Sequence, residues 1–296
     1  MRIGFCVPQF GPAPTAPNAV TGFARSAEEL GADSLWVGDR LLAPVDPVVG
    51  YAGTDSMPEQ FRSSMDPFAV LTASAAVTER VLLGTSVLNA PFYSPVPLAR
   101  ALTSIDVISG GRLIPGFGTG WSPDEFGAVG VPMAERGDRL EETLDILDTL
   151  WTRSPAEHHG KRWDIPATHN ELRPARRLPV YLGGRAPGAL SRVARRADGW
   201  LPTAVVPRHF DPGTISHPLA QIRDEAKRAG RDPESIGAIL RINPASPSTV
   251  ADIVAVIKAS EDIGIDHAYV ELMYLADTAD AALDLAAEII TKVRQF

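Results

Sequence analysis

The sequence predicts an α/β fold, a (β/α)8 barrel of the TIM type. One insertion follows the second strand, and another lies between the fourth helix and the fifth strand. Three observations lead there. Strand-like and helix-like segments alternate from end to end, the alternation repeats eight times, and 296 residues suit one barrel with insertions. A doubly wound sheet usually has fewer units, so the count decides between the two. The whole chain, 1–296, reads as a single domain.

The first strand is RIGFCVPQ, residues 2–9. In the helix after it, Val20, Phe23, Ala24, Ala27 and Leu30 share one face, and Gly31 stands where a helix stops. DSLWVGD is the second strand. Its helix opens with Asp66 as N-cap and Pro67 at the first helical position. RVLLGTSVLN is the third strand, and its helix runs from Ser94-Pro95 to Gly110-Gly111. RLIPGFGTGW is the fourth strand. The fourth helix begins at an Asp138…Glu141 pair that fits a capping box, with Leu140, Leu144, Leu147 and Trp151 on one face. The remaining strands are LPVYLGG, GWLPTAV, SIGAILRIN and DHAYVEL, each followed by an amphipathic stretch. Two connections are long, Arg40 to Asp66 and Thr152 to Leu178. The first follows a strand, so it belongs to the face where barrels place their active sites. The second follows a helix, and extends over the barrel or packs on a partner subunit.

Composition narrows the function. With 28 Lys and Arg against 36 Asp and Glu, the net charge is −8 and no basic face suits nucleic acid. The densest basic cluster, Arg173 to Arg177, reads as local anion handling or a solvated surface. No apolar run reaches the roughly 18 residues a membrane span needs, and the N-terminus enters a strand directly. A cytoplasmic protein is expected. The lone Cys6 has no internal disulfide partner, and its mid-strand position suits a small buried apolar role.

The expected strand ends are poor in the usual catalytic groups. None of His158, His159, His169, His209, His217 and His267 falls in a metal motif, and most lie in expected loops. Lys161, Lys227, Lys258 and Lys292 all fall away from strand ends, which disfavours Schiff-base chemistry. GFGTG lacks the spacing of a dinucleotide fingerprint. No metal is expected, and a metal-dependent hydrolase is disfavoured. A barrel without reactive groups of its own points to a cofactor that carries the reaction. In YLGGRAPGAL, Gly183 and Gly184 end a strand and Pro187 opens a helix. Backbone N–H groups there can hold a phosphate, with Arg185 adding charge; a plain tight turn is the competing account. The third strand is interrupted at Gly84-Thr85-Ser86 before Val87-Leu88-Asn89. A strand that only fills a core has no need of that gap.

Four stretches, GADSLWVGDRLL, LLGTSVLNAPF, SGGRLIPGFGTGWSPDEFGAVG and LPVYLGG, resemble the bacterial luciferase-like family of flavin and deazaflavin oxidoreductases, in the family's order. The resemblance implies a non-prolyl cis peptide at Ser86–Val87, pressed against the cofactor ring, with Gly84 and Thr85 giving it room. It implies that Asp39 lies near the ring, and that Asn89, Thr119, Gly120 and Trp121 border it. It favours the deazaflavin coenzyme F420, with FMN as the alternative, and hydride transfer to or from a small organic substrate. Sugar-phosphate dehydrogenases of that branch carry a His where this chain has Arg40, and a Glu where it has Trp121. Arg40 can bind an anion but does not readily shuttle protons. Asp39 and Arg40 are the candidate catalytic residues. F420 carries an acidic tail, for which Arg40, Arg185 and the Arg173–Arg177 loop are the candidate partners. The runner-up is an FMN-dependent monooxygenase, and a non-catalytic flavin-binding protein is a remoter one. A homodimer is expected from the resemblance. Tyr51, Met57, Phe61 and Met65 make the first long loop either a cover for an apolar ligand or satellite packing.

Overall fold

The computed structural model describes residues 1–206, 210–245 and 247–295; His209 lies outside them. Two large parallel sheets carry the fold. One has seven strands in the order β11-β13-β14-β1-β2-β3-β5, the other five in the order β12-β10-β9-β6-β4. In chain order these are β1 (Arg2–Cys6), β2 (Ser34–Val37), β3 (Leu82–Thr85), β4 (Leu88–Asn89), β5 (Leu113–Ile114) and β6 (Gly116–Gly118). After a small hairpin, β7 (Ala156–His159) with β8 (Asp164–Thr168), come β9 (Tyr181–Gly183), β10 (Gly199–Leu201) and β11 (Thr203–Val206). The last are β12 (Gly237–Ala238), β13 (Leu240–Pro244) and β14 (His267–Val270). The pairs β3–β4, β5–β6, β10–β11 and β12–β13 are consecutive pieces of one run, one piece in each sheet, so these runs pass from sheet to sheet. Eight parallel runs result among the described residues.

Helices follow the runs: α1 (Ala19–Leu30), α2 (Pro67–Val77), α3 (Pro95–Ser109), α4 (Pro123–Ala128), α5 (Arg136–Thr152), α6 (Pro187–Arg196), α7 (Gly213–Arg228), α8 (Val250–Glu261) and α9 (Ala279–Arg294). Local signals hold where they were expected. The Asp66 side chain accepts from the Ala69 N–H with Pro67 at the first turn, and Gly31 and Gly110 close α1 and α3 in the left-handed conformation. The expected capping box at Asp138…Glu141 does not form. α5 starts earlier, at Arg136, and both carboxylates are drawn to distant arginines, Asp138 to Arg162 and Glu141 to Arg192 and Arg196. Leu30, placed on the buried face of α1, is 36% exposed because the helix ends there. The second insertion forms the β7–β8 hairpin, held to α5 by the Glu142 carboxylate, which accepts the N–H groups of Arg162 and Trp163.

Two hydrophobic clusters fill the interior, a large main core and a smaller one formed by strand side chains. There Trp36 and Tyr269 stack with ring centroids 4.4 Å apart, over Cys6, Ile114, Leu201 and Ile239. This explains Gly84. A Cβ on it would lie 2.3 Å from the Trp36 ring, so its smallness admits an indole from the neighbouring strand. The expectation that Gly84 makes room for the strand interruption is corrected accordingly.

Buried polar side chains secure the N-terminal ends of the strands. Glu28 accepts the N–H groups of Glu79, Arg80 and Val81. Arg112 donates to the carbonyls of Ala75, Thr78, Val81 and Ser109 and to the Thr78 hydroxyl. Arg112→Met strands several buried carbonyls at the end of α2 and is expected to cost about 2–3 kcal/mol in urea unfolding. The Arg173–Arg177 loop lies at this same end. Arg176 donates to Gly111 and Leu113 carbonyls, and Arg177 pairs with Asp198 at 2.8 Å. The cluster is structural and sits opposite the strand ends expected to bind ligand, so the expectation that it receives a cofactor tail is corrected. Among the described residues no helix is long and apolar enough to cross a membrane.

Candidate active site

Two neighbouring cavities open where the strands end. The smaller, about 230 Å³, lies between Asp39 and Arg40 after β2, the Ser86–Val87 segment joining β3 to β4, Asn89, Trp121 and Arg241. The larger, about 710 Å³, lies under the loop before α2, and Tyr51 and Trp121 border both. The strand interruption therefore faces a cavity, and Ser86–Val87 is cis as expected. Val87 also accounts for two glycines: a Cβ at Gly118 would lie 2.5 Å from one of its methyls, and a Cβ at Gly183 3.0 Å from the other. The sixth and ninth strands are bare so that this side chain can stand between them.

Asp39 is buried beside the small cavity. Its Oδ2 accepts the Asn89 N–H at 2.8 Å and its Oδ1 the Tyr93 hydroxyl at 2.9 Å. A carboxylate has further lone pairs, so each oxygen can still meet a ligand. Burial pushes the Asp39 carboxyl up to about 6, against the two donors that lower it. It can thus exchange a proton near neutrality. Gln9, also buried, ties this end together through Gly38 and the Met65 carbonyl.

Arg40 takes a different part from the one expected. Its guanidinium lies 3.1 Å from the Glu125 carboxylate, and both side chains are at most 5% exposed. It sits 4.9 Å from the Phe61 ring centroid and 4.7 Å from that of Trp121. Glu125 also accepts the N–H groups of Leu41 and Leu42. It is placed by α4, a short helix the sequence patterning did not announce, capped by Ser122. The expectation that Arg40 binds a substrate or cofactor anion is corrected: its charge is compensated within the protein, and its planar group spaces two aromatic rings. Phe61 joins Phe10 and Met273 in a satellite cluster, while Tyr51 and Met57 line the large cavity. The first long loop therefore packs as a satellite cluster and also borders the large cavity, while Met65 is 40% exposed.

The Gly183-Gly184-Arg185 turn lies beyond Val87 on the same face. Gly184 has φ 115°, and its carbonyl accepts the Trp200 indole N–H at 2.9 Å. Arg185 donates to the carbonyls of Thr203 and Thr214 and has no carboxylate partner among the described residues. The start of α6 is exposed, and space is open around Gly188. Thr119 and Gly120 border neither cavity; Gly120 turns the chain with φ 77° toward Trp121. Among the described residues no cluster of His, Cys, Asp and Glu could hold a metal. His267 is buried at the start of β14, within the strand expected there, and burial pushes its pKa down to about 3.

Sequence reasoning passed over Arg241 and Glu271. Arg241 Nη1 donates to the Ser86 carbonyl at 3.1 Å, Nη2 to Glu271 at 3.0 Å and Nε to Asn243 at 2.8 Å. Burial works against the Arg241 charge, and the Glu271 carboxylate more than offsets it, so its pKa is raised. This pair pins the Ser86–Val87 segment from across the sheet. An arginine and a glutamate at two strand ends were the available signal, though neither lies in a motif. Cys6 is buried as expected, and burial followed by the Glu271 charge pushes its thiol up.

Comparison with known proteins bears on the family and the fold. An uncharacterized protein of Mycobacterium tuberculosis is 31% identical over 211 residues, covering 70% of this chain and 71% of that protein. An F420-dependent glucose-6-phosphate dehydrogenase of Nakamurella multipartita is 31% identical over 237 residues, covering 79% of this chain and 64% of that enzyme. The monooxygenase RslO1 from Streptomyces bottropensis superposes with a TM-score of 0.80 at 21% identity, each chain 99% covered, a likeness of fold. The family model described as luciferase-like monooxygenase matches residues 1–294, and the chain belongs to that family.

Proposed function

We propose that the chain is an oxidoreductase that uses the deazaflavin coenzyme F420 for hydride transfer with a small organic substrate. On this reading residues 1–296 form one domain, and the two sheets close into a (β/α)8 barrel whose insertions lie after β2 and between α5 and β9. It works as a homodimer in the cytoplasm. The observation that carries the reading is the small cavity itself: a space bordered by the Ser86–Val87 segment, Trp121 and Asp39. The F420-dependent relative supports the choice of cofactor.

The residues fit the group. Ser86, Val87, Asn89 and Trp121 would hold the ring, and Thr119 and Gly120 would shape the turn beside it. Gly183, Gly184, Arg185 and the start of α6 would hold the phosphate. When bound, the deazaflavin accepts or supplies the hydride. Asp39 holds or releases the accompanying proton at a carboxylate oxygen, Arg241 fixes the Ser86 carbonyl, and Tyr51 and Trp121 keep water from the site. Arg40 keeps Trp121 in place and transfers no proton. Of the arginines expected to meet the acidic tail, only Arg185 is left at this face. An exposed pair there contributes about 0–1 kcal/mol, so salt should weaken F420 binding only slightly.

Calorimetric titration with F420 and with FMN at two salt concentrations tests the reading. Tighter binding of F420 supports it; micromolar FMN binding with none for F420 would move the chain to a flavin monooxygenase. The phosphate position has its own test. Gly184 is a poor site for it, since a Cβ there would meet Ala189 at 2.7 Å with φ at 115°. Gly188 is open, in the first turn of α6. Gly188→Asp should leave stability within about 1 kcal/mol, because an acid favours a helix start, yet weaken F420 binding about tenfold or more. Unchanged affinity would place the phosphate elsewhere.

A further inference from the structure

We infer that the large cavity beside the ring site selects an uncharged, mainly apolar substrate. The inference rests on the oxidoreductase reading only in calling the ligand a substrate. The walls are mainly apolar, with Val49, Met57, Pro58, Trp121, Val205 and Pro244 among them. The polar groups that join them, such as Thr54, Ser56, Thr203 and Asn243, are neutral. Such a lining is the usual pattern for a site that orients an apolar body with one or two hydrogen bonds.

Among the described residues, the two cations at the adjoining small cavity, Arg40 and Arg241, are already engaged, and Arg185, which donates to the carbonyl of the wall residue Thr203, is the one assigned to the cofactor phosphate. Arg40 faces Glu125 at 3.1 Å and is covered by Phe61 and Trp121. Glu125 is in turn fixed by the Leu41 and Leu42 N–H groups. Arg241 is bound to Glu271, Asn243 and the Ser86 carbonyl at once. A phosphate or carboxylate entering the cavity would lose its water, and at Arg40 or Arg241 it would have to displace an internal carboxylate to regain a partner. A methylene entering it meets aromatic and aliphatic carbon. Trp121 forms part of that apolar wall.

The test is binding of the series 1-butanol, 1-hexanol and 1-octanol against octanoate and glucose 6-phosphate. It is followed by calorimetry on the chain with and without F420. Affinity should rise about fourfold per added methylene, and octanoate and glucose 6-phosphate should bind at least a hundredfold more weakly than 1-octanol. Val205→Arg places a cation on a half-exposed wall position, 42% exposed, and should reverse the order of octanol and octanoate. Equal binding of octanol and octanoate by the unaltered chain would overturn the inference, as would an alcohol series without a chain-length gain. Failure of F420 to bind, with the alcohol preference intact, would sink the cofactor reading and leave this inference standing.

Discussion

Glu125→Ala should destabilise the chain by about 3–5 kcal/mol, the usual cost of leaving a buried charge without its partner. The guanidinium of Arg40 would stay enclosed between Phe61 and Trp121 without its ion-pair partner. The N–H groups of Leu41 and Leu42 would lose their acceptor at the root of the long loop. For a chain of this size the thermal midpoint should fall by about 5–8 °C. The same change should disorder Trp121, so tryptophan fluorescence should report it below the unfolding transition. Arg40→Met combined with Glu125→Gln is the informative control. It removes both charges while the Gln oxygen still accepts the Leu41 N–H, and it should recover more than half of the loss. A double variant no more stable than Glu125→Ala would show that the ion pair is not what holds the loop.

The order of strands and helices was legible because each unit announces itself locally. Asp66-Pro67 opens a helix and Gly31 and Gly110 close helices through contacts within a few residues. The β7–β8 hairpin was not legible, since AEHH and DIPAT are mostly exposed and carry no alternation to signal a sheet face. Around the site the division is similar. Asp39, Ser86, Val87, Asn89 and Trp121 were named from neighbouring motifs and do meet at one cavity. What failed was the partner assignment. Glu125 lies 85 residues from the arginine it neutralises, and its own motif says nothing about which charge it will face. Arg241 and Glu271 lie in none of the four stretches that carry the resemblance, and the register of β13 beside β14 brings them together. The expected Asp138…Glu141 box failed for the same reason: a local pairing lost to Arg162 and Arg192, which the fold supplies from elsewhere.

Asp39→Asn should cut turnover by about 10²- to 10⁴-fold, the range for losing a positioned proton donor or acceptor. Asn keeps the size of the side chain and one oxygen for the Asn89 N–H or the Tyr93 hydroxyl, so the cavity should persist and F420 affinity should change little. The pH profile gives the sign. Burial raises the Asp39 carboxyl to about 6 from an ordinary 3.8. In substrate oxidation Asp39 acts as a base, and the rate should rise as pH passes upward through about 6; in reduction it acts as an acid, and the rate should fall there. Stability follows the same ionisation. Between pH 3.8 and about 6 the folded chain keeps a proton that the unfolded chain has lost, so the fold weakens as pH rises through that window. The full difference corresponds to about 3 kcal/mol, absent below the window and complete above it. Urea unfolding from pH 4 to pH 7 should therefore show a slope in the unaltered chain, and Asp39→Asn should reduce it by about that amount. A variant that keeps both the slope and the rate limb near 6 would remove Asp39 from proton transfer and assign the ionisation to another group at the site.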